Sequence, residues 1–362
     1  MTSIRTEELA LDKTSREDIS LSHDVSNHRA WDAFVRSHPN GSVFHLMAWQ
    51  RLIHGTFGHE PRHIIAKNPR SGEVVGILPL FLVRSIIFGR MLVSTPHATY
   101  GGILASSDAV ARSIFERAHQ MAKESNVEFL ELRNFRNGLP NDCLLQKDLY
   151  VTFRQELCDD PEKSFLKIPR KKRYRIREGI KNGLEFKVNE IGSSEFFDVY
   201  SRNVRQLGTP VFPRRMFEEG RREFGSECKI FSVHWKGRLV SAVWTLFYKD
   251  EFISFFAASL KEYNHLSVNN FMYWMLMKYG CENGYRTFDF GRSKKGTGAF
   301  AFKEHWGMTM SGLKYQYALV RRPSMPDTSP LNPKFSLGIR IWQKLPLSLT
   351  RTLGPVISKH LV

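Results

Sequence analysis

The stretch FDFGRSKKGTGAFAFKEHWG, residues 288–307, is the most informative in the chain. Phe288 and Phe290 alternate as in a short strand, which turns both rings to one side and Asp289 to the other. Gly291, Gly296 and Gly298 allow close backbone approach in the loop that follows, while Arg292, Lys294 and Lys295 bring positive charge to it. Lys303 then stands between Phe302 and Trp306, two rings that pack and leave its ammonium in a defined place. A cation fixed where an oxyanion develops lowers the barrier to acyl transfer directly. The plainer alternative is a structural loop with a surface lysine; the density of glycine, cation and aromatic argues against it. Asp289 either accepts a proton or orients Lys303 or Arg292, and orientation is favoured.

Working outward, the stretch closes an alternating pattern. Helices are expected over 195–206 and 214–224, strands over 229–233, 240–248 and 252–258, a helix over 269–282 and a strand over 286–290. Gly284 is placed as the stop of the third helix. Before them lies Lys163–Lys187, with ten cations against Glu178 and Glu185. On a helix, Arg170, Arg173, Arg177 and Lys181 share one stripe, and Ile176 and Ile180 form an adjoining ridge that docks on the core. Such a stripe beside a buried ridge suits anion binding; the alternative is a solvated charged face, which ordinarily mixes signs.

The first half has a similar order. A polar, mobile leader spans 1–26, and globular pattern begins at His28. Helical signals at 31–35 and 43–53 precede two buried apolar runs, VVGILPLFLV and IIFGRMLVS, read as strands. A helix over 109–125 and a strand over 127–133 follow, and a strand near 150–155 is expected to close this first unit. Two consecutive α/β units of similar order suggest a duplicated fold. A last strand is expected over 314–320. Pro323, Pro326, Pro330 and Pro333 then form a linker to a tail. From Leu331 onward the tail has five cations (Lys334, Arg340, Lys344, Arg351, Lys359), no acid, and apolar residues among them. Such a segment either lies on an anionic membrane or docks on the protein's own surface.

With 362 residues, 42% of them hydrophobic and 27 of them Phe, the chain has ample material for a core, which excludes extensive disorder. The net charge of +17 favours polyanionic partners: nucleic acid, phosphorylated small molecules or an anionic membrane. The four cysteines form no CxxC pair, arguing against thiolate zinc and a disulfide framework. Residues 1–24 lack the apolar core of a signal peptide, and the longest apolar run, 74–83, is too short to span a bilayer. A cytoplasmic protein, at most peripheral to a membrane, is expected. There is no GxxxxGK[ST], GxSxG or HExxH motif, and His54, His59 and His63 lack ligand spacing. RSKKGTG departs from the [QR]xxGx[GA] pyrophosphate loop, so coenzyme A has no evident cradle. Trp31, Trp49 and the Phe271, Tyr273, Trp274 patch read as core.

FHLMAW (44–49), HATYGGIL (97–104), PRKKRYRIREGIKNGLEF (169–186), VYSRNVRQLGTPVFPRRMF (199–217), NNFMYWMLM (269–277) and the 288–307 stretch together resemble the FemAB/FemX-type aminoacyl transferases. Among these the chain looks most like the FemAB-related proteins associated with exosortase/PEP-CTERM and exopolysaccharide systems. The resemblance implies an α/β (α+β) protein of two tandem acetyltransferase-like (GNAT-like) domains with a cleft between them. They would span 27–158 and 159–311, a strand at about 312–320 returning to the first, with 321–362 as linker and tail. It implies transfer of an aminoacyl or acyl group to a phosphorylated or lipid-linked cell-envelope precursor, with aminoacyl-tRNA or acyl-CoA as donor and no permanently bound cofactor. By the same likeness, Lys303 stabilises charge at the transferring carbonyl, with Asp289 beside it. Arg205 grips the acceptor phosphate and faces the same crevice as Lys303. Arg170, Arg173 and Arg177 lie near phosphates or the tRNA acceptor end; from the charge of their own loop, Arg292 and Lys294 are expected to bind substrate as well. Arg51 stands in for a first-domain lysine, and no inserted helical arm is present. A non-catalytic scaffold of an envelope machine and a nucleic-acid-binding protein are the competing classes.

Overall fold

A computed structural model describes residues 19–135, 139, 144–325 and 333–361. The chain opens with β1 (Ser20–Ser22) and α1 (His28–Ser37), capped where the Asn27 side chain accepts from the Ala30 N–H and burying Trp31 and Val35. α2 (Met47–Phe57) ends at Gly58 in the left-handed region, φ 66°. Then come β2 (Glu60–Pro61), β3 (Ile64–Lys67), β4 (Val74–Leu78), β5 (Leu80–Ser85), β6 (Gly89–Ser94), β7 (Leu104–Ala105), α3 (Asp108–Glu124) and β8 (Phe129–Asn134). β9 (Leu145–Lys147) and β10 (Tyr150–Glu156) lead to α4 (Pro161–Lys167), α5 (Arg170–Lys181), β11 (Leu184–Val188), α6 (Ser193–Leu207) and α7 (Arg214–Phe224). β12 (Cys228–Trp235), β13 (Arg238–Tyr248), β14 (Glu251–Ser259), α8 (Val268–Glu282), β15 (Thr287–Asp289), β16 (Ser293–Lys294) and α9 (Gly298–Glu304) follow. β17 (Thr309–Gly312), β18 (Lys314–Leu319), α10 (Pro333–Lys344) and α11 (Leu347–Ser358) complete the order.

One arrangement occurs twice. The β5–β6 hairpin is followed by α3 and by β8, which lies parallel to β6; the β13–β14 hairpin is followed by α8 and by β15, parallel to β14. Each is a hairpin plus a helical crossover to a parallel strand, as a parallel pair requires. A six-stranded sheet, β2-β5-β6-β8-β18-β9, carries the first unit, and an eight-stranded sheet, β11-β12-β13-β14-β15-β10-β16 with β17 on β10, carries the second. A four-stranded sheet, β1-β3-β4-β7, flanks the first.

The units interlock by exchanged strands. β18, late in the chain, pairs with β8 in the first sheet, and β10 pairs with β15 in the second. This corrects the expected place of residues 150–155: they close the second sheet, not the first unit. Neighbours in sequence usually pair, and β10 is an exception because its side chains meet those of β15. The leader also needs correction, since Ser20–Ser22 pair with Ile65–Lys67; residues 1–18 lie outside those described. The run VVGILPLFLV is two strands in different sheets, broken at Pro79, which has no N–H for a ladder. In IIFGRMLVS the strand starts only at Gly89, and Ile86 and Ile87 are exposed in the preceding turn.

Alternation along β13 gives the second sheet two covered faces. Ala242, Trp244 and Leu246 pack with Phe196 and Tyr200 of α6 and Phe217 of α7. Val243 and Phe247 point the other way, toward Met272 and Leu276 of α8. Gly284, at φ 75° beyond α8, takes the left-handed conformation expected of a helix stop. Among the described residues no helix is long and apolar enough to cross a membrane.

Candidate active site

The parallel pairing of β14 with β15 runs only from Glu251/Thr287 to Ile253/Asp289, after which the chain turns at Gly291, φ 72°. Phe288 and Phe290 lie among Tyr273 and Trp306, and the Asp289 side chain leaves on the opposite side. It is 1% exposed and accepts from four donors: Thr152 Oγ1, Arg154 Nη1 at 3.1 Å, Tyr100 OH at 3.3 Å and the Gly291 N–H at 2.6 Å. Arg154 also donates to Glu251. Four donors use the acceptor capacity of a carboxylate. Asp289 therefore bonds neither Lys303 nor Arg292; it ties β10, β15 and the first unit's Tyr100 into one knot. Burial and this carboxylate push the Tyr100 hydroxyl well above its usual range, so it stays a donor.

Lys303 sits near the end of α9, a helix started by the Thr297 side chain accepting from the Phe300 N–H. It is 9% exposed, and its Nζ donates to the carbonyls of Phe290 at 2.7 Å and Gly291 at 3.2 Å. Those carbonyls lie where β15 ends, so the ammonium is fixed at the mouth of the β14–β15 pair. Burial lowers its pKa to about 8, and the Asp289 charge opposes that fall. The group carries its proton at neutral pH. An ammonium has three donors, and among the described residues the third has no protein partner.

The basic segment reaches the same place, by a residue outside the expected stripe. α5 docks through Ile176, fully buried, and Gly179, where an added Cβ would lie 2.8 Å from Phe271 Cβ. Ile180, expected in that ridge, is exposed because it lies beyond the contact line. Arg170 and Arg177 are exposed and Arg173 is half-buried. Arg177 lies 5.3 Å over the Phe165 ring. Lys172 Nζ, in contrast, lies 4.2 Å over Phe302 and 5.6 Å from the Trp306 centroid, on the rings that flank Lys303. Burial lowers its pKa.

Arg292 is exposed; its Nη1 donates to Tyr315 OH at 3.2 Å and its guanidinium lies 5.2 Å over Tyr150. Lys294 Nζ lies 5.7 Å from the same ring. Tyr315 OH in turn donates to the Thr99 carbonyl at 2.6 Å, in the HATYGG segment that also supplies Tyr100. Beside Arg154 is a cavity of 390 Å³ lined by Phe135, Glu156, Thr287 and Ser311 among others. Tyr100, Thr152, Arg154, Lys172 and Tyr315 are not among the site residues expected from the sequence, although HATYGG contains Tyr100, the basic segment contains Lys172 and the expected last strand contains Tyr315.

Arg205 is placed elsewhere. It lies on α6, across the second sheet from α8 and Trp306, and its Nε donates to the Leu345 carbonyl at 2.6 Å. That carbonyl belongs to the α10–α11 junction, so the tail docks over the arginine. Arg51 is paired with Glu223 at 2.7 Å, between α2 and α7. His59 and His63 are buried and held neutral, their pKa values lowered to about 4 by burial.

Residues 170–304 match a family model described as an acetyltransferase (GNAT) domain. A Lipid II:glycine glycyltransferase from Staphylococcus haemolyticus (strain JCSC1435) is 20% identical over 77% of this chain and 88% of that protein. FemX matches with a TM-score of 0.64 at 16% identity, over 84% of this chain and 98% of FemX. A tandem GNAT protein from the clavulanic acid biosynthesis pathway matches with a TM-score of 0.52 at 12% identity, over 85% and 100% of the two chains. L-PGS from Bacillus licheniformis gives 0.52 at 13%, over 88% and 97%. Residues 170–304 thus carry a GNAT acyltransferase domain. The chain as a whole is similar to the glycyltransferase and has a fold like those of FemX and the tandem GNAT protein.

Proposed function

We propose that this protein is a FemX-like aminoacyl or acyl transferase. Its acceptor is a phosphorylated or lipid-linked saccharide precursor of the cell envelope or of an exopolysaccharide, met in the cytoplasm at the inner membrane face. The observation that carries the proposal is the buried Lys303 ammonium, held on two carbonyls at the end of β15 with one donor left over among the described residues. The similar glycyltransferase is named for Lipid II, a lipid-linked acceptor.

In the step envisaged, an acceptor amine attacks the carbonyl carbon of an activated ester or thioester. The new C–N bond forms, the carbonyl electrons move to oxygen, and the Lys303 N–H stabilises the resulting oxyanion. Collapse breaks the bond to the donor's oxygen or sulfur, which leaves, and the amine proton passes to that leaving group or to water. A hydroxyl acceptor would give an ester by the same route. One such donor is worth about 3 kcal/mol of barrier. Arg170, Arg173, Arg177 and Lys172, with Arg292 and Lys294, hold the phosphates of the donor, either the tRNA acceptor end or coenzyme A. The donor is consumed at each turnover, so no resident cofactor is part of the scheme. Asp289 acts as a positioning residue that sets the Gly291 turn. Arg205, across the second sheet from Lys303 and held on the Leu345 carbonyl, takes no part in this step.

The test is incubation of the protein with charged tRNAs and, separately, with acyl-CoAs. Nucleotide-sugar and lipid-linked pools are then followed by mass spectrometry. A mass increment on one acceptor that depends on one donor class is expected; no transfer from either class would refute the proposal.

A further inference from the structure

α10 and α11 pack on the second unit by one side only. Trp342, Thr350, Gly354 and Ser358 are buried, and a Cβ at Gly354 would meet Val211 Cγ1 at 2.5 Å. Arg351 fastens the pair, donating to Asp198 Oδ1 at 2.6 Å and to Ser201 Oγ at 3.0 Å. The outer side is apolar as well. Leu337 and Ile341 are exposed one turn apart on α10, and Leu349, Leu353 and Val356 line up on α11 at i, i+4 and i+7. Exposed Arg340 and Lys344 accompany them, and no Asp or Glu occurs from Leu331 to the end.

The end of α11 meets a second exposed apolar element. Ser85 Oγ donates to the His360 carbonyl at 3.0 Å, and His360 Nδ1 lies 3.3 Å from the Arg84 carbonyl. This contact puts the β5–β6 turn beside α11, with Ile86 85% exposed and Ile87 also exposed at its tip. The turn is fixed, because the Ile87 and Phe88 N–H groups both donate to Ser85 Oγ at 3.1 Å.

We infer that the outer face of α10–α11, together with the Ile86–Ile87 turn, is a docking surface for an anionic lipid bilayer. Seven aliphatic side chains enter the acyl boundary while Arg340 and Lys344 meet acidic headgroups. A second copy of the chain fits poorly, since a two-fold contact would set these cations against themselves. A polyanion alone would leave the aliphatic groups without a role.

The test floats full-length protein with phosphatidylcholine vesicles, with and without phosphatidylglycerol, in the absence of any transferase substrate. The result is therefore independent of the transferase proposal. Wild type should float with the anionic vesicles only. Leu353→Glu, Ile86→Glu and the double change Arg340→Glu with Lys344→Glu should each lower binding at least tenfold. All four positions are exposed, and unchanged circular dichroism and melting temperature confirm folding. Absence of wild-type flotation, or flotation unaffected by these changes, would overturn the inference. Loss from the helix variants with none from Ile86→Glu would remove the turn from the surface. A dimer dissolved by Leu353→Glu would assign the face to a second copy.

Discussion

Burying an ammonium costs hydration, and Lys303 bears that cost: its pKa falls from the usual lysine value of 10.5 to about 8. Between these values the unfolded chain binds a proton that the folded chain does not. Folding stability contributed by this group therefore rises with pH across that window. Compared with Lys303→Met, wild type should gain up to about 3 kcal/mol between pH 8 and pH 10.5. Denaturant titrations of both proteins across the window check this, and parallel curves would contradict it. The lysine was legible because Phe302 and Trp306 flank it, and the aspartate because two phenylalanines flank it. The partners of Asp289 were not, since Thr152, Arg154 and Tyr100 lie 135 to 189 residues away and no local pattern records such a meeting.

At the scale of elements, α6, α7 and α8 were readable from apolar spacing to within a residue or two at each end. β16, two residues long, and β17, four, offer too few positions for alternation to show. α5 was readable as a basic helix, but the face it turns to α9 was not, because Lys172 joins the site by way of aromatic rings distant in sequence. Lys172→Ala should raise the donor KM about tenfold and leave kcat within about twofold, the loss of one charge-assisted contact. An unchanged KM in steady-state kinetics would exclude the residue from donor binding. For Arg205 the structure offers a different role, as a latch for Leu345. Arg205→Ala should therefore speed amide hydrogen exchange in α10–α11 and leave the acceptor KM unchanged. A raised acceptor KM would return the arginine to the acceptor site.

For the molecule as a whole, exchange of β10 and β18 makes each sheet depend on the other half of the chain. The duplicated order was legible in the sequence. The crossing of β10 was not, because adjacency in sequence suggested the nearer sheet. Interlocked units should unfold together, so calorimetry should show one transition with equal calorimetric and van't Hoff enthalpies, where two resolved transitions would mean independent units. The same interlock brings Tyr100, Thr152, Arg154 and Asp289 together behind the Gly291 turn on which the Lys303 ammonium rests. Single-turnover transfer by Lys303→Met, at saturating donor and acceptor, tests whether that ammonium stabilises the reacting carbonyl. The rate should fall by about a hundredfold or more while the melting temperature holds. A variant that transfers as fast as wild type would show that the chemistry is done elsewhere.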